Sequence, residues 1–214
     1  MHKKLTITFL SEWQVATGIG DGHLADSMIA RNAEGLPWLP GRAVKGALRE
    51  GARRLGQCRK DLAKAETLFW GEGPTEANRH SGILRVSPAL LPENLAGLFK
   101  SMPVEQRGNM VRDMTCHRVQ TALDTDRQVK HRSLRTLECG IPGLSFEAEL
   151  QIDMPDWLTE TWVQKYLVAV CAAVKSMGGN RSRGLGQCRV TLEGGDCDRV
   201  DLPPVMPAMP GGVA

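Results

Sequence analysis

No stretch of the 214-residue chain approaches the roughly 18 to 20 consecutive apolar residues that a bilayer-spanning helix needs. The opening Met1-His2-Lys3-Lys4 runs straight into alternating Leu5-Thr6-Ile7-Thr8-Phe9 and not into the apolar core of a signal peptide. Both absences lead to the expectation of a soluble, cytoplasmic protein without a membrane partner. The six cysteines (Cys58, Cys116, Cys139, Cys171, Cys188, Cys197) contain no CxxC pair, so neither a zinc finger nor a dense disulfide framework is indicated and reduced thiols are expected. Cys116-His117 is the one adjacent pair of metal-ligating types with a zinc reading, and no second spaced pair accompanies it. The GxxxxGK[ST] spacing of a nucleotide-binding loop is missing as well, so a nucleoside triphosphate is not implied.

Hydrophobic residues make up 42% of the chain and charged residues 24%, an ordinary globular balance with enough length for one sizeable core. The net charge of +3 is modest, but its distribution is uneven. Arg42 through Lys60 holds seven basic residues against Glu50 alone, and Lys175 through Arg189 holds four with no acid. The last 25 residues are net acidic. Two separated basic segments are the pattern of a face that meets an anionic ligand.

Leu5, Ile7 and Phe9 alternate with threonines, which predicts a half-buried opening strand. The glycines of Thr17-Gly-Ile-Gly-Asp-Gly22 predict a loop that continues to Gly35, and the prolines of Leu36-Pro-Trp-Leu-Pro-Gly41 exclude a helix before residue 41. From Arg42 to Leu55, Val44, Ala47, Leu48, Ala52 and Leu55 form an apolar stripe at helical spacing. Arg42, Lys45, Arg49 and Arg53 fall on the opposite side. Further elements are expected at Asp61–Trp70 (helix), Ile83–Val86 (strand) and Glu93–Met102 (helix), while residues 103–113 show no period. Residues 118–138 read as an extended hairpin with its tip near Asp124–Arg127, followed by a clear strand over Leu144–Ile152 and a long helix from Pro155 to Met177. Gly178-Gly179 is expected to stop that helix, and Cys188–Leu192 to form the last strand.

The loop from Gly178 to Gly186 combines glycines with Arg181 and Arg183, so backbone N–H groups and guanidinium forks could both meet phosphate oxygens. A plain helix-to-strand turn would use the same glycines. The basic row on the first helix is either a solvated face or half of the same phosphate site, with the helix N-terminus after Pro40-Gly41 adding its attraction.

Asp26-Ser-Met-Ile-Ala-Arg-Asn-Ala-Glu-Gly-Leu-Pro-Trp-Leu-Pro-Gly-Arg-Ala-Val-Lys-Gly-Ala-Leu-Arg49 resembles the signature of the RAMP-superfamily subunits of type III CRISPR effector complexes. Gly178 to Gly186 is similar to that superfamily's C-terminal glycine-rich loop, and Arg118 to Arg127, with Leu137-Glu138 and Gly143-Leu-Ser-Phe-Glu147, to its thumb hairpin and return strand. The family's Pro-Gly-Ser-Ser stands here as Pro40-Gly-Arg-Ala43.

The resemblance implies an α+β, ferredoxin-like (RRM-like) antiparallel sheet with helices on one face, insertions and a projecting thumb. It places one domain over residues 1–194 with the thumb at about 107–138, and the aperiodic Pro/Gly-rich stretch 195–214 reads from its composition as a flexible tail. It implies a backbone subunit that binds CRISPR RNA beside neighbouring copies, paralogous subunits and other effector components, and that cleaves target RNA. The implied guide-RNA contacts are Arg42, Lys45, Arg49, Arg118, Gly178, Gly179, Arg181, Arg183 and Gly184, and the thumb residues are Val119, Leu123, Asp124 and Arg127. Asp26 falls on the catalytic position, holding Mg²⁺ or another divalent cation transiently while RNA phosphates complete the coordination. Asp21 is the competing carboxylate. Three alternatives stay open: a non-catalytic scaffold, a guide-processing endoribonuclease acting through His2, His23 or His117, and a small-molecule phosphate binder.

Overall fold

A computed structural model describes residues 1–16, 25–71, 81–122, 124–131 and 133–207. The opening alternation forms strand β1 (His2–Phe9), whose Leu5, Ile7 and Phe9 are fully buried. Helix α1 (Gly41–Cys58) starts directly after Pro40 and buries Val44, Leu48, Gly51 and Ala52, which share one side at 100° per residue. A 3₁₀ turn, Lys60–Leu62, leads into α2 (Ala63–Trp70), and β2 (Leu84–Val86) follows.

Next come α3 (Glu93–Ser101) and α4 (Val104–Asp113). α4 was not visible as a period because none of its residues is buried. The thumb is the two-stranded ribbon of β3 (Thr115–Gln120) and β4 (Arg135–Gly140), and β5 (Ser145–Ile152) returns to the main sheet. The chain ends its regular structure with α5 (Glu160–Ala173) and β6 (Cys188–Leu192).

The main sheet runs β2-β5-β1-β6 with antiparallel neighbours. With α1 linking β1 to β2 and α5 linking β5 to β6, this is the ferredoxin-like order, and α3, α4 and the thumb are inserted between β2 and β5. Phe146, Ala148, Leu150 and Ile152 of β5 join β1 and β6 in packing against Val163, Tyr166, Leu167 and Val170 of α5. The other sheet face is polar. Lys4 pairs with Glu147 at 2.9 Å and Thr8 bonds Ser145 at 2.8 Å. It carries no aromatic platform of the sort on which RRM sheets stack bases.

Two boundaries differ from expectation. Helix α5 begins after Thr159, whose side chain accepts from the Trp162 N–H, and it stops at Ala173 because the chain turns extended and pairs Ser176 with Gln187. Gly178-Gly179 therefore shapes a later loop and does not cap the helix. Beyond Gly194 the chain lies against the core as far as residue 207. Pro203 and Pro204 carbonyls accept from Arg59 and Trp162, and Lys165 pairs with Asp201 at 2.5 Å.

Helices α1 and α5 cross closely at Gly51, where a Cβ would stand 2.7 Å from the Val170 carbonyl oxygen, whereas Gly46 on the outer face has nothing within 4 Å. Gly46→Ala is therefore expected to raise stability by about 0.5 to 1 kcal/mol through helix propensity. Gly51→Ala should lower it by about 1 to 3 kcal/mol through overpacking. Urea midpoints of the two variants check the pair, and equal shifts would contradict the crossing.

Candidate nucleic-acid interface

The glycine-rich loop is shaped by φ values few other residues adopt: +97° at Gly178, +84° at Gly184 and +76° at Gly186, with Asn180 also left-handed. It is fastened to the segment that extends β1. Gly179 N–H donates to the Gln14 carbonyl at 2.8 Å, Gly186 N–H to the Glu12 carbonyl at 2.7 Å, and the Asn180 amide to Gln14 Oε1 at 2.9 Å. The N–H groups of Gly179, Arg183, Gly184, Leu185 and Gly186 are thus all bonded within the protein. The glycines build the loop, and the side chains of the arginines are what it offers a ligand.

Arg183 reaches across to Gln120 of β3 at 2.7 Å, and Leu185 is buried against Leu137 and Cys139 of β4, so the loop sits on the root of the thumb. Arg181 turns the other way and meets Glu50 of α1 at 2.5 Å. The hydrogen bond from Arg181, reinforced by Arg54, holds the Glu50 carboxyl below its ordinary range. Beside the loop a cleft of about 490 Å³ is lined by Lys175, Ser176, Arg181, Gln187, Arg189 and Asp198. Among the described residues, Lys175 and Arg189 make no side-chain ion pair, which leaves their charges available.

The basic row on α1 divides. Lys45 Nζ donates to the Leu84 carbonyl at 2.7 Å, and burial pushes its pKa down, with Arg49 and Arg85 adding to the effect. Arg49 is bound to Glu66 and to the Gly71 carbonyl, and Arg53 also reaches Glu66. These groups fasten α1 to β2 and α2. Arg42 alone of the first three is exposed and has no partner among the described residues. The two basic stretches are neighbours in the fold, but they touch through the acid Glu50, eight residues and about 12 Å of helix rise beyond Arg42.

In the thumb, Arg118 is paired with Glu12, and Val119 stands 62% exposed. Asp124 Oδ1 accepts from the N–H groups of Asp126 and Gln128, forming the tip, where Arg127 has φ 61°. Leu123 lies outside the described residues, as do Asp21 and His23. Val129 and Leu134 are exposed apolar thumb residues that had no signature in the sequence.

Asp26 sits along the thumb ribbon, beside Thr136 near its tip-ward end. Its N–H donates to the Thr136 carbonyl at 2.8 Å, and its Oδ2 accepts from the Thr136 N–H at 2.7 Å. Among the described residues no group of three His, Cys, Asp or Glu side chains is arranged to hold a metal ion. Cys116 and His117, adjacent in β3, point to opposite faces of the ribbon and cannot share a zinc ion as a pair. Cys116 lies opposite Cys139, whose thiol burial pushes up to about 11, so it is not a reactive thiolate. His2 is at the far end of β1.

Strand alternation gives the ribbon two distinct faces. Arg118, Gln120, Leu137 and Cys139 share the face on which the glycine-rich loop docks, while His117, Thr136 and Glu138 share the other with Asp26 beside them. Sequence reading missed Glu12 and Gln14, the residues that tie loop to thumb. Gln14 is only 4% exposed, and a single glutamine carries no signal of that role.

The family model of the RAMP superfamily matches residues 6–189, and the chain belongs to that superfamily. A chain in the cryo-EM structure of type III-B Cmr-beta in the apo state is similar to it with a TM-score of 0.64 and 11% identity, over 91% of this chain and 98% of that one. A chain of type III-B Cmr-beta bound to cognate target RNA gives a TM-score of 0.64 at 11% identity, over 90% and 97%. At that identity the likeness is one of fold. No curated protein matches the sequence. No helix among the described residues is long and apolar enough to cross a membrane.

The Asp26 carboxylate is expected to steady the tip-ward end of the thumb ribbon whatever else it does. Asp26→Ala should cost about 1 kcal/mol and speed hydrogen exchange at the Thr136 amide, while amides of β1 keep their protection. Unchanged exchange at Thr136 would contradict the contact.

Proposed function

We propose that the chain is a guide-RNA-binding backbone subunit of a type III CRISPR effector, working in the cytoplasm beside copies of itself, paralogous subunits and other components of the complex. The observation that carries this reading is the docking of the Arg181–Arg183 turn on the thumb root beside a cleft with two unpaired cations, Lys175 and Arg189. Guanidinium and ammonium groups held on a rigid loop bind phosphates without reading bases, as a strand of variable sequence requires. Arg183 and Arg42 extend the same electrostatic surface toward the thumb and the start of α1, while Arg118 is spent on Glu12. The thumb, with Val119 and Arg127 exposed, would interrupt base pairing between guide and target.

Asp26 would act on the target strand. One carboxylate oxygen is engaged by Thr136 and the other remains for a hard divalent cation, with RNA phosphates supplying the remaining ligands. Such a cation, when bound, would offset the charge that builds on the scissile phosphate as a 2′-hydroxyl attacks. A second reading, a scaffold without nuclease activity, is favoured by the same hydrogen bond, which gives the carboxylate a structural role. Guide processing by histidines has less support, since His2 and His117 lie on separate elements.

Single-stranded RNA binding by the full chain should weaken steeply with salt. In the Lys175→Gln/Arg189→Gln variant the log–log salt slope is expected to fall by about 1.4, roughly 0.7 for each lost phosphate contact. Fluorescence anisotropy across a salt series checks it, and RNA binding that ignores salt would overturn the reading. Asp26→Asn separates the two forms: loss of divalent-dependent cleavage of complementary RNA supports the nuclease, and unchanged cleavage assigns the cut elsewhere.

A further inference from the structure

Strand β6 is an edge of the main sheet, and its outer side is covered at both ends but not in the middle. The bonds toward the β1 side fall on odd-numbered residues: Leu10 N–H donates to the Gln187 carbonyl at 2.8 Å, and Glu193 N–H to the Lys4 carbonyl at 2.9 Å. Even-numbered residues therefore direct their N–H and C=O outward. Cys188 N–H donates to the Lys175 carbonyl at 3.1 Å, and the Leu192 carbonyl accepts from Gly195 N–H at 3.0 Å. Between them, Val190 has no outward partner for either group among the described residues. Val190 is 2% exposed and lines the cleft of about 490 Å³ beside the glycine-rich loop. Buried peptide groups are normally paired, so this donor and acceptor are where the polar edge of a ligand would sit.

The opening excludes an added strand and admits a flat ring. From Cys188 to Leu192 it spans about 13 Å of strand, and only Val190 in it offers hydrogen bonds, whereas a peptide that extends a sheet pairs with several residues in succession. Cys171, Val174 and Cys188 form a buried apolar wall of the cleft, and Leu10 stands beside them 58% exposed. At the rim are Lys175, Arg189 and Asp198, none in an ion pair among the described residues. An apolar slot with a cationic rim matches a nucleotide, its base inside and its phosphate outside. The polar groups also discriminate among bases. Val190 N–H is one donor, while Val190 C=O and the Asp198 carboxylate are acceptors. Guanine alone of the four RNA bases carries two adjacent donor groups, N1–H and the 2-amino group, next to one acceptor, O6.

We propose that this cleft binds a guanine nucleotide, with the base edge on Val190 and Asp198 and the phosphate on Lys175 and Arg189. The proposal rests on the guide-binding reading for the two cations and is independent of it for the base. The nucleotide belongs either to a bound RNA strand or to a free mononucleotide. Occupation by a base accounts for the unpaired peptide groups of Val190 and for an apolar Leu10 left at the surface.

The test titrates guanosine 5′-monophosphate, the other three monophosphates and ribose 5-phosphate into the full chain, followed by calorimetry. Guanosine monophosphate is expected to bind about tenfold or more tighter than each of the others. Asp198→Asn, on an exposed loop, should remove that preference, and Ala172→Trp, which fills the slot from α5, should abolish it as well. A ten-nucleotide oligouridylate with one central guanosine that binds tighter than the plain oligouridylate assigns the nucleotide to a strand. Equal affinity of the two, with the monophosphate preference intact, assigns it to a free nucleotide. Guanosine monophosphate binding no better than ribose 5-phosphate, or a preference that survives Asp198→Asn, overturns the pocket; weaker RNA binding by Lys175→Gln/Arg189→Gln would then leave the guide reading standing. A guanine preference in a chain whose RNA binding ignores salt keeps the pocket and removes the guide reading.

Discussion

Residues 12 to 14 are the tie on which the arrangement depends. Trp13 exchanges backbone hydrogen bonds with Gly140 of the thumb at 3.0 and 2.7 Å, while the carbonyls of Glu12 and Gln14 on the other edge accept from Gly186 and Gly179. An extended segment directs successive peptide groups to opposite sides, so three residues can hold two elements at once. The Trp13 ring adds the packing term: fully buried, it stacks on Phe9 with centroids 4.7 Å apart and lies so close over Gly140 that a Cβ there would stand 2.1 Å from it. Sheet, thumb and glycine-rich loop are held in one relation by this short continuation of β1.

That relation divides the chemistry. One face of the β3–β4 ribbon receives the arginine-bearing loop, and the other holds Asp26, His117 and the Arg31–Glu138 pair. A pleated ribbon with period two can present two chemically different faces while remaining only one layer thick. The open face of the main sheet is polar and contributes Arg189, opposite Thr8 at the β6 edge, to the cleft beside the loop. The proposed binding surfaces sit on the insertions and loops that the sheet positions.

The fold was largely legible in the sequence because its signals are local. The alternation of Leu5, Ile7 and Phe9, the apolar stripe of Val44, Leu48 and Ala52, and the clean period of Ser145–Ile152 each record which side of an element is buried. Helix α4 was not legible, since it sets only Met110 and Val111, adjacent in sequence and partly buried, against the core, too few to leave an apolar period. The end of α5 was misplaced for a different reason: the pairing of Ser176 with Gln187 is a contact between distant positions, and it overrides the helical preference of the residues before Gly178.

The sequence by itself determined the class of elements, their order, and the residue types able to meet phosphate, because composition and periodicity are written along the chain. Tertiary structure alone decided which of those charges remain available. Lys45 and Arg49 look equivalent to Arg42 on a helical wheel, yet the first two are spent on Leu84, Glu66 and Gly71, while Lys175 and Arg189 are left to face a cleft. Whether a cation binds a ligand or fastens a helix depends on which acids and carbonyls the fold brings within about 3 Å of it, and no local pattern encodes that.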